Sequence, residues 1–200
     1  MRRILLIFTI LASSLTVFAD NAGDARKLLD KTSALIAKKG GAKANFTISG
    51  GNIAKQSGTI AIKGNKFCAT TSQACIWYNG KTQWTYVKAN EEVNVSTPKA
   101  AHQQMMNPLT FLNLYKKGYK LSVSPQGSNK VVHMVATGKE SIREVFITLS
   151  ASGQPTQVRL KQNGKWTTIV ISNFQQKALP DATFVFNSKD YPKAEVIDLR

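Results

Sequence analysis

Two hundred residues suffice for one domain with a proper core, and 27 Lys and Arg against 11 Asp and Glu give a formal charge of +16. So basic a chain raises nucleic acid as a partner, but the cations stand singly, without a dense tract, so no nucleic acid is expected. What remains is a solvated basic surface with some attraction to anionic lipid.

Residues 1–19 read as a secretory signal, with Arg2 and Arg3 ahead of a short apolar run and Val17-Phe18-Ala19 as the cleavage site. A membrane anchor needs about 20 continuous apolar residues, and Ser13, Ser14 and Thr16 interrupt this run. No Cys follows Ala19 directly, so the exported product is expected to be soluble, periplasmic and not itself acylated. Losing Arg2 and Arg3 leaves 25 basic against 11 acidic residues, +14, on a single domain spanning 20–200.

Ala25, Leu28, Leu29, Thr32, Leu35 and Ile36 recur at steps of three and four and predict an amphipathic helix over 22–39, stopped by Gly40-Gly41. Strands are predicted at 43–50, 57–63, 66–69, 74–78, 82–88 and 91–96, separated by Gly, Asn and Ser. Asn79-Gly80 marks a hairpin turn. Trp84 and Tyr86 beyond it share one face by period-2 spacing. A Pro- and Met-rich connector over 97–114 has helical spacing broken at Asn107-Pro108. Strands resume at 119–124, 130–137, 143–149, 155–161 and 165–173, with turns at 126–128, 151–153 and 163–164. The remaining tail has no clear pattern.

Alternation such as Phe46/Ile48 and Ile60/Ile62 gives the sheet one apolar face. So long a sheet cannot leave that face open. Curling it into a half-open antiparallel β-barrel, with the two helical segments over the mouth, resolves the exposure. The fold class is therefore mainly β with helices, closed by a helical lid. A cavity is expected from Phe46, Ile60, Ile62, Phe67, Trp84, Tyr86 and Val93, with Met105, Leu109, Phe111 and Leu112 of the connector closing it. Met and Leu give a deformable lining suited to varied apolar chains.

Cys68 and Cys75 flank a short polar segment, and in an oxidising compartment they are expected to pair as a disulfide worth about 2 kcal/mol. Two cysteines are too few for a zinc site, and no metal is expected. The catalytic inventory is thin: His102 and His133 are the only histidines, no Asp lies between Asp30 and Asp181, and no nucleophile elbow or phosphate-binding Gly loop occurs. No enzyme activity and no cofactor are expected.

The motifs Gly58-x-Ile60-x-Ile62-x-Gly64-x-Lys66-Phe67 and Trp77-Tyr78-Asn79-Gly80-Lys81-Thr82-x-Trp84-x-Tyr86, then Glu92-Val93-x-Val95 and Asn107-Pro108-Leu109, resemble the periplasmic outer-membrane lipoprotein carrier family (LolA). The likeness is to its shorter, divergent Bacteroides-type members, and with the flanking strands it covers most of the chain. The resemblance implies a monomeric chaperone of outer-membrane biogenesis that binds the acyl chains of lipoproteins in its cavity. It would take them from an inner-membrane lipoprotein-releasing transporter and pass them to an outer-membrane acceptor. Two departures stand out: Gly64-Asn65 where the family has an Arg thought to hold the lid, and Asn79 for the usual Asp. They keep open a second class, a periplasmic lipid or lipopeptide sensor or adaptor of the same fold without transport activity.

Overall fold

The computed structural model describes residues 21–37, 40–51, 53–98 and 113–200. The expected signal sequence and the connector, with Met105, Leu109, Phe111, Leu112 and His102, lie outside the described residues. One helix, α1 (Ala22–Ile36), precedes two runs of strands. The first is β1 (Ala42–Gly50), β2 (Ile53–Lys63), β3 (Lys66–Thr71), β4 (Ala74–Tyr78), β5 (Gln83–Val87) and β6 (Glu92–Ser96). The second is β7 (Tyr119–Gln126), β8 (Asn129–Ala136), β9 (Ile142–Leu149), β10 (Pro155–Gln162) and β11 (Lys165–Gln176). A tail of two 3-10 turns, Asp181–Phe184 and Ser188–Asp190, ends in β12 (Glu195–Asp198).

Each run is a meander of antiparallel hairpins whose turns use residues able to take positive φ, such as Gly127, Asn163 and Gly164. At the β4–β5 turn the Asn79 side chain accepts from the backbone N–H of Lys81 (3.0 Å) and of Thr82 (2.9 Å), while Gly80 takes φ 99°. Asn79 thus supplies the short Asx cap that an Asp would.

All twelve strands form one sheet in the order β12-β6-β5-β4-β3-β2-β1-β11-β10-β9-β8-β7. The two meanders are joined by antiparallel pairing of β1 with β11, and β12 returns to pair parallel with β6. The sheet does not close: β12 and β7 are its edges. It is nevertheless curled, because Phe67 and Tyr78 of one wing share a buried cluster with Leu121, Val132 and Met134 of the other. This is the half-open barrel the apolar alternation calls for.

Helix α1 lies against the concave side, burying Ala25, Leu29 and Ile36 in that cluster. Its fully buried Thr32 hydroxyl satisfies itself on the carbonyls of Leu28 (2.9 Å) and Gly153 (3.0 Å), which ties the helix to the β9–β10 turn. Tyr115, buried after the connector, donates to Asp30, and Gln176 donates to the Leu35 carbonyl at 3.0 Å. At the β7 edge the Asn21 amide donates to the Val123 carbonyl and accepts from the Val123 N–H at 2.8 Å. One side chain thereby satisfies both backbone groups of an edge residue that would otherwise invite a foreign strand.

The tail covers part of the convex side. Phe184 is fully buried against Ala61, with Leu179 and Cys68 around it. Trp77 meets Phe186 and Tyr191 edge-on, with ring centroids 5.6 and 5.5 Å away. Asp181 sits between Lys63 and Lys66, both at 2.9 Å. Hydrogen bonds from these two ammonium groups hold its carboxyl down at about 2, below the ordinary 3.8. A depressed carboxyl stabilises the folded form above its unfolded value, and that contribution is lost as pH falls through the folded one. The tail should therefore loosen between about pH 4 and 2. Amide exchange over 179–191 should accelerate across that window, and Asp181→Asn should erase the acid-dependent part.

The expected disulfide is corrected. Cys68 and Cys75 are free thiols. In the β3–β4 register Cys68 faces Trp77 and Cys75 faces Thr70, so the two are diagonal neighbours on one face. A diagonal pair stands about 7–8 Å apart, beyond the roughly 7 Å that a bridge spans without backbone movement. Burial, then the neighbouring Cys75, pushes the Cys68 thiol up to about 11, so it stays protonated and unreactive at neutral pH.

Candidate functional site

Between the two wings the concave face leaves a cavity of about 410 Å3, inside the roughly 300–1,000 Å3 range of small-molecule sites. Its walls come from both meanders: Phe46 and Ile48 of β1, Ile60 and Ile62 of β2, Phe67 and Ile76 of β3 and β4, and Ile147, Val158, Ile169 and Ile171 of β9 to β11. Ile36 of α1 contributes from above. Among the described residues Lys43 is the only charged one in the lining, joined by Gln56 and Thr71 as polar neighbours.

The space arises from an alternation of large and small residues across neighbouring strands. Ile60 is flanked by Ala44 on β1 and Ala69 on β3, and Ala69 is flanked in turn by Ile76. Gly58 stands opposite Phe46. A Cβ added there would lie 2.2 Å from the Thr70 carbonyl oxygen and 2.8 Å from the Phe46 ring. Glycine therefore lets the ring lie across β2, out of the cavity's middle. Gly58→Ala should push the ring inward, cost about 1–3 kcal/mol of overpacking strain and weaken binding of apolar probes. Urea denaturation and probe titration on one preparation would check both effects.

Four of the residues expected to line the cavity do so: Phe46, Ile60, Ile62 and Phe67. Trp84, Tyr86 and Val93 are corrected to the opposite, convex face. Register fixes this, since Trp84 pairs with Trp77 and Tyr86 with Cys75, on the face of Cys68, while Phe67 and Ile76 point the other way. Tyr86 packs on Tyr191 of the tail (4.6 Å), and Val93 is fully buried opposite Tyr86. The aromatics after the Asn79 turn do cover apolar surface, but that surface is the chain's own C-terminus.

Sequence reasoning missed Ile48, Ile169 and Ile171. Ile48 was visible in its alternation with Phe46, whereas Ile169 and Ile171 were masked because Ile169-Val170-Ile171 reads as a continuous apolar run while Val170 turns to solvent, 45 % exposed.

Apart from Lys43, the titratable groups among the described residues lie outside the lining. His133 Nε2 and Glu144 Oε1 are 2.8 Å apart on the convex face, with the imidazole stacked flat on Phe146. Among the described residues no three His, Cys, Asp or Glu come together as a metal site. No helix of the described residues is long and apolar enough to cross a membrane.

The fold is thus a curled open sheet that holds an apolar hollow, with one helix packed on its concave side. The sequence profile of the family described as outer membrane lipoprotein carrier protein LolA matches residues 15–164, three quarters of the chain, and the chain belongs to that family. No curated protein matches it. Among solved structures it is similar to an uncharacterized conserved protein from Thermus thermophilus, 12 % identical over 88 % of this chain and 99 % of that one, with a TM-score of 0.59. A LolA superfamily protein from Nitrosomonas europaea is 11 % identical over 81 % and 97 % of the two chains, at a TM-score of 0.47. The lipoprotein LppX of Mycobacterium tuberculosis is 7 % identical over 79 % and 98 %, at 0.44.

Proposed function

We propose that this protein is a non-enzymatic periplasmic carrier that encloses the acyl chains of lipoproteins and shuttles them from the inner to the outer membrane. The observation that carries the reading is the cavity, lined almost wholly by apolar side chains from both meanders. Each methylene moved from water into such a lining gains roughly 0.8 kcal/mol, with little demand on chain shape. Broad cargo acceptance follows from that chemistry. Family membership supports the lipoprotein as cargo, and the amino-terminal pattern supports export with cleavage after Ala19.

In this reading a transporter of the inner membrane loads the carrier, and an acceptor on the outer membrane unloads it by offering the acyl chains a more favourable site. The carrier works as a monomer and needs no cofactor. The test mixes the mature protein with inner-membrane vesicles that hold a newly made lipoprotein and the matching transporter. The lipoprotein should leave the membrane as a soluble one-to-one complex with the carrier. Acyl binding without any release would instead mark a lipid sensor or adaptor of the same fold.

A further inference from the structure

The convex face is finished in two ways. The tail's apolar contacts fall on the side of β2 to β5, through Ala61, Cys68, Trp77 and Tyr86. On β8 to β11 the same face carries a ladder of rings and cations instead. His133 stacks on Phe146 at 4.1 Å, and Phe146 meets Trp166 at 5.8 Å. The Arg159 guanidinium lies 5.0 Å from the Trp166 ring centroid, and the Lys161 ammonium 5.7 Å from it. Val135 and Val170, at 41 % and 45 % exposure, share this face.

We infer that this ladder is a docking surface for an anionic lipid bilayer, a role separate from the cavity on the other side of the sheet. Two features point to lipid headgroups. Across β8 to β11 this face carries Arg159 and Lys161 against one acid, Glu144, which is engaged by His133 and stands opposite Lys161. Glu144 offsets part of that charge, whereas Arg159 has Phe146 and Thr168 as its cross-strand partners and lies over Trp166. Indole next to Arg and Lys is also the pairing that settles at the headgroup level of membranes, where the ring is half-apolar and the cations meet phosphate. A bilayer fits because cations lie over rings along this face, Arg159 over both Phe146 and Trp166 and Lys161 over Trp166, rather than around an apolar centre.

The experiment sediments the mature protein with vesicles of phosphatidylcholine alone or phosphatidylcholine with phosphatidylglycerol. Binding should require the anionic lipid and weaken with added salt. Each cation at an anionic surface contributes about fivefold in affinity, so Arg159→Glu with Lys161→Glu should lose at least about twentyfold. The pair Lys27→Glu and Lys31→Glu on α1 changes the net charge equally and should leave binding nearly intact. Brominated phosphatidylglycerol should quench indole fluorescence, and Trp166→Phe should remove that quenching. Acyl-probe loading of the cavity, unchanged in all variants, verifies the fold. Equal binding to neutral vesicles, equal loss in both charge-reversed pairs, or quenching that persists without Trp166 overturns the proposal. So does failure to bind anionic vesicles while a membrane protein protects this face from exchange, which assigns the ladder to a protein interface.

Discussion

Replacing Ile60 with Asp should abolish acyl-chain binding while leaving most of the fold in place. Ile60 is half-buried at the centre of the cavity wall, between Ala44 and Ala69. An acyl chain seated there would strip water from the new carboxylate, at a cost of several kcal/mol unless the group is protonated. Each 1.4 kcal/mol is a factor of ten, so affinity should fall by about a hundredfold or more. The empty protein, by contrast, can leave the carboxylate facing a hydrated cavity. Ile147 is the useful contrast: it touches the same cavity but is fully buried in the core, and Ile147→Asp should prevent folding altogether. Fluorescent acyl-probe titration beside urea denaturation separates the two effects. Unchanged probe affinity in folded Ile60→Asp would place the acyl chains elsewhere.

The largest stability effect is expected at Phe184, whose ring is fully buried under the convex face far from the cavity. Phe184→Ala removes that ring from a small satellite core of Ala61, Leu179 and Cys68, and large-to-small changes of this kind cost about 3–5 kcal/mol. That core has few other members to close the gap. The tail should detach as a unit, freeing the Trp77 contacts and the parallel β12–β6 pairing with it. Hydrogen exchange should show residues 177–200 losing protection before the β7–β11 meander, and limited proteolysis should cut within the tail. Probe binding should persist, because no residue of the tail lines the cavity. Uniform loss of protection across the whole sheet would show instead that the tail is part of the main cooperative unit.

The strands were legible because the turns that separate them depend on local chemistry. Asn79-Gly80, Asn163-Gly164 and Gln126-Gly127 each fix a reversal through φ values that few residues take, and strand boundaries fell within a few residues of those marks. Helix α1 was legible from its stripe, and it ends at Ile36, short of the predicted Lys39. What alternation could not supply was the sign of a face. Trp84 and Tyr86 share a face as their spacing requires, yet period-2 spacing is silent on whether that face is concave or convex. The deciding partners, Phe186 and Tyr191, lie about a hundred residues further on, in a tail with no periodic signal of its own. The same distance in sequence hid the join between β1 and β11, which brings Ile169 and Ile171 beside Phe46 and Ile48.

That join also sets the order of assembly. Every hairpin within a meander closes locally, whereas β1 must wait for β11, whose residues follow it by more than a hundred positions. Contacts between distant segments form slowly, because the entropy of closing the intervening loop must be met first. The cavity straddles this seam, with one wall on each side. It therefore comes into being only when both halves are present and docked. A chain that ends before β11 has no hollow to fill, so the ability to hold an apolar chain is gained all at once, late in synthesis.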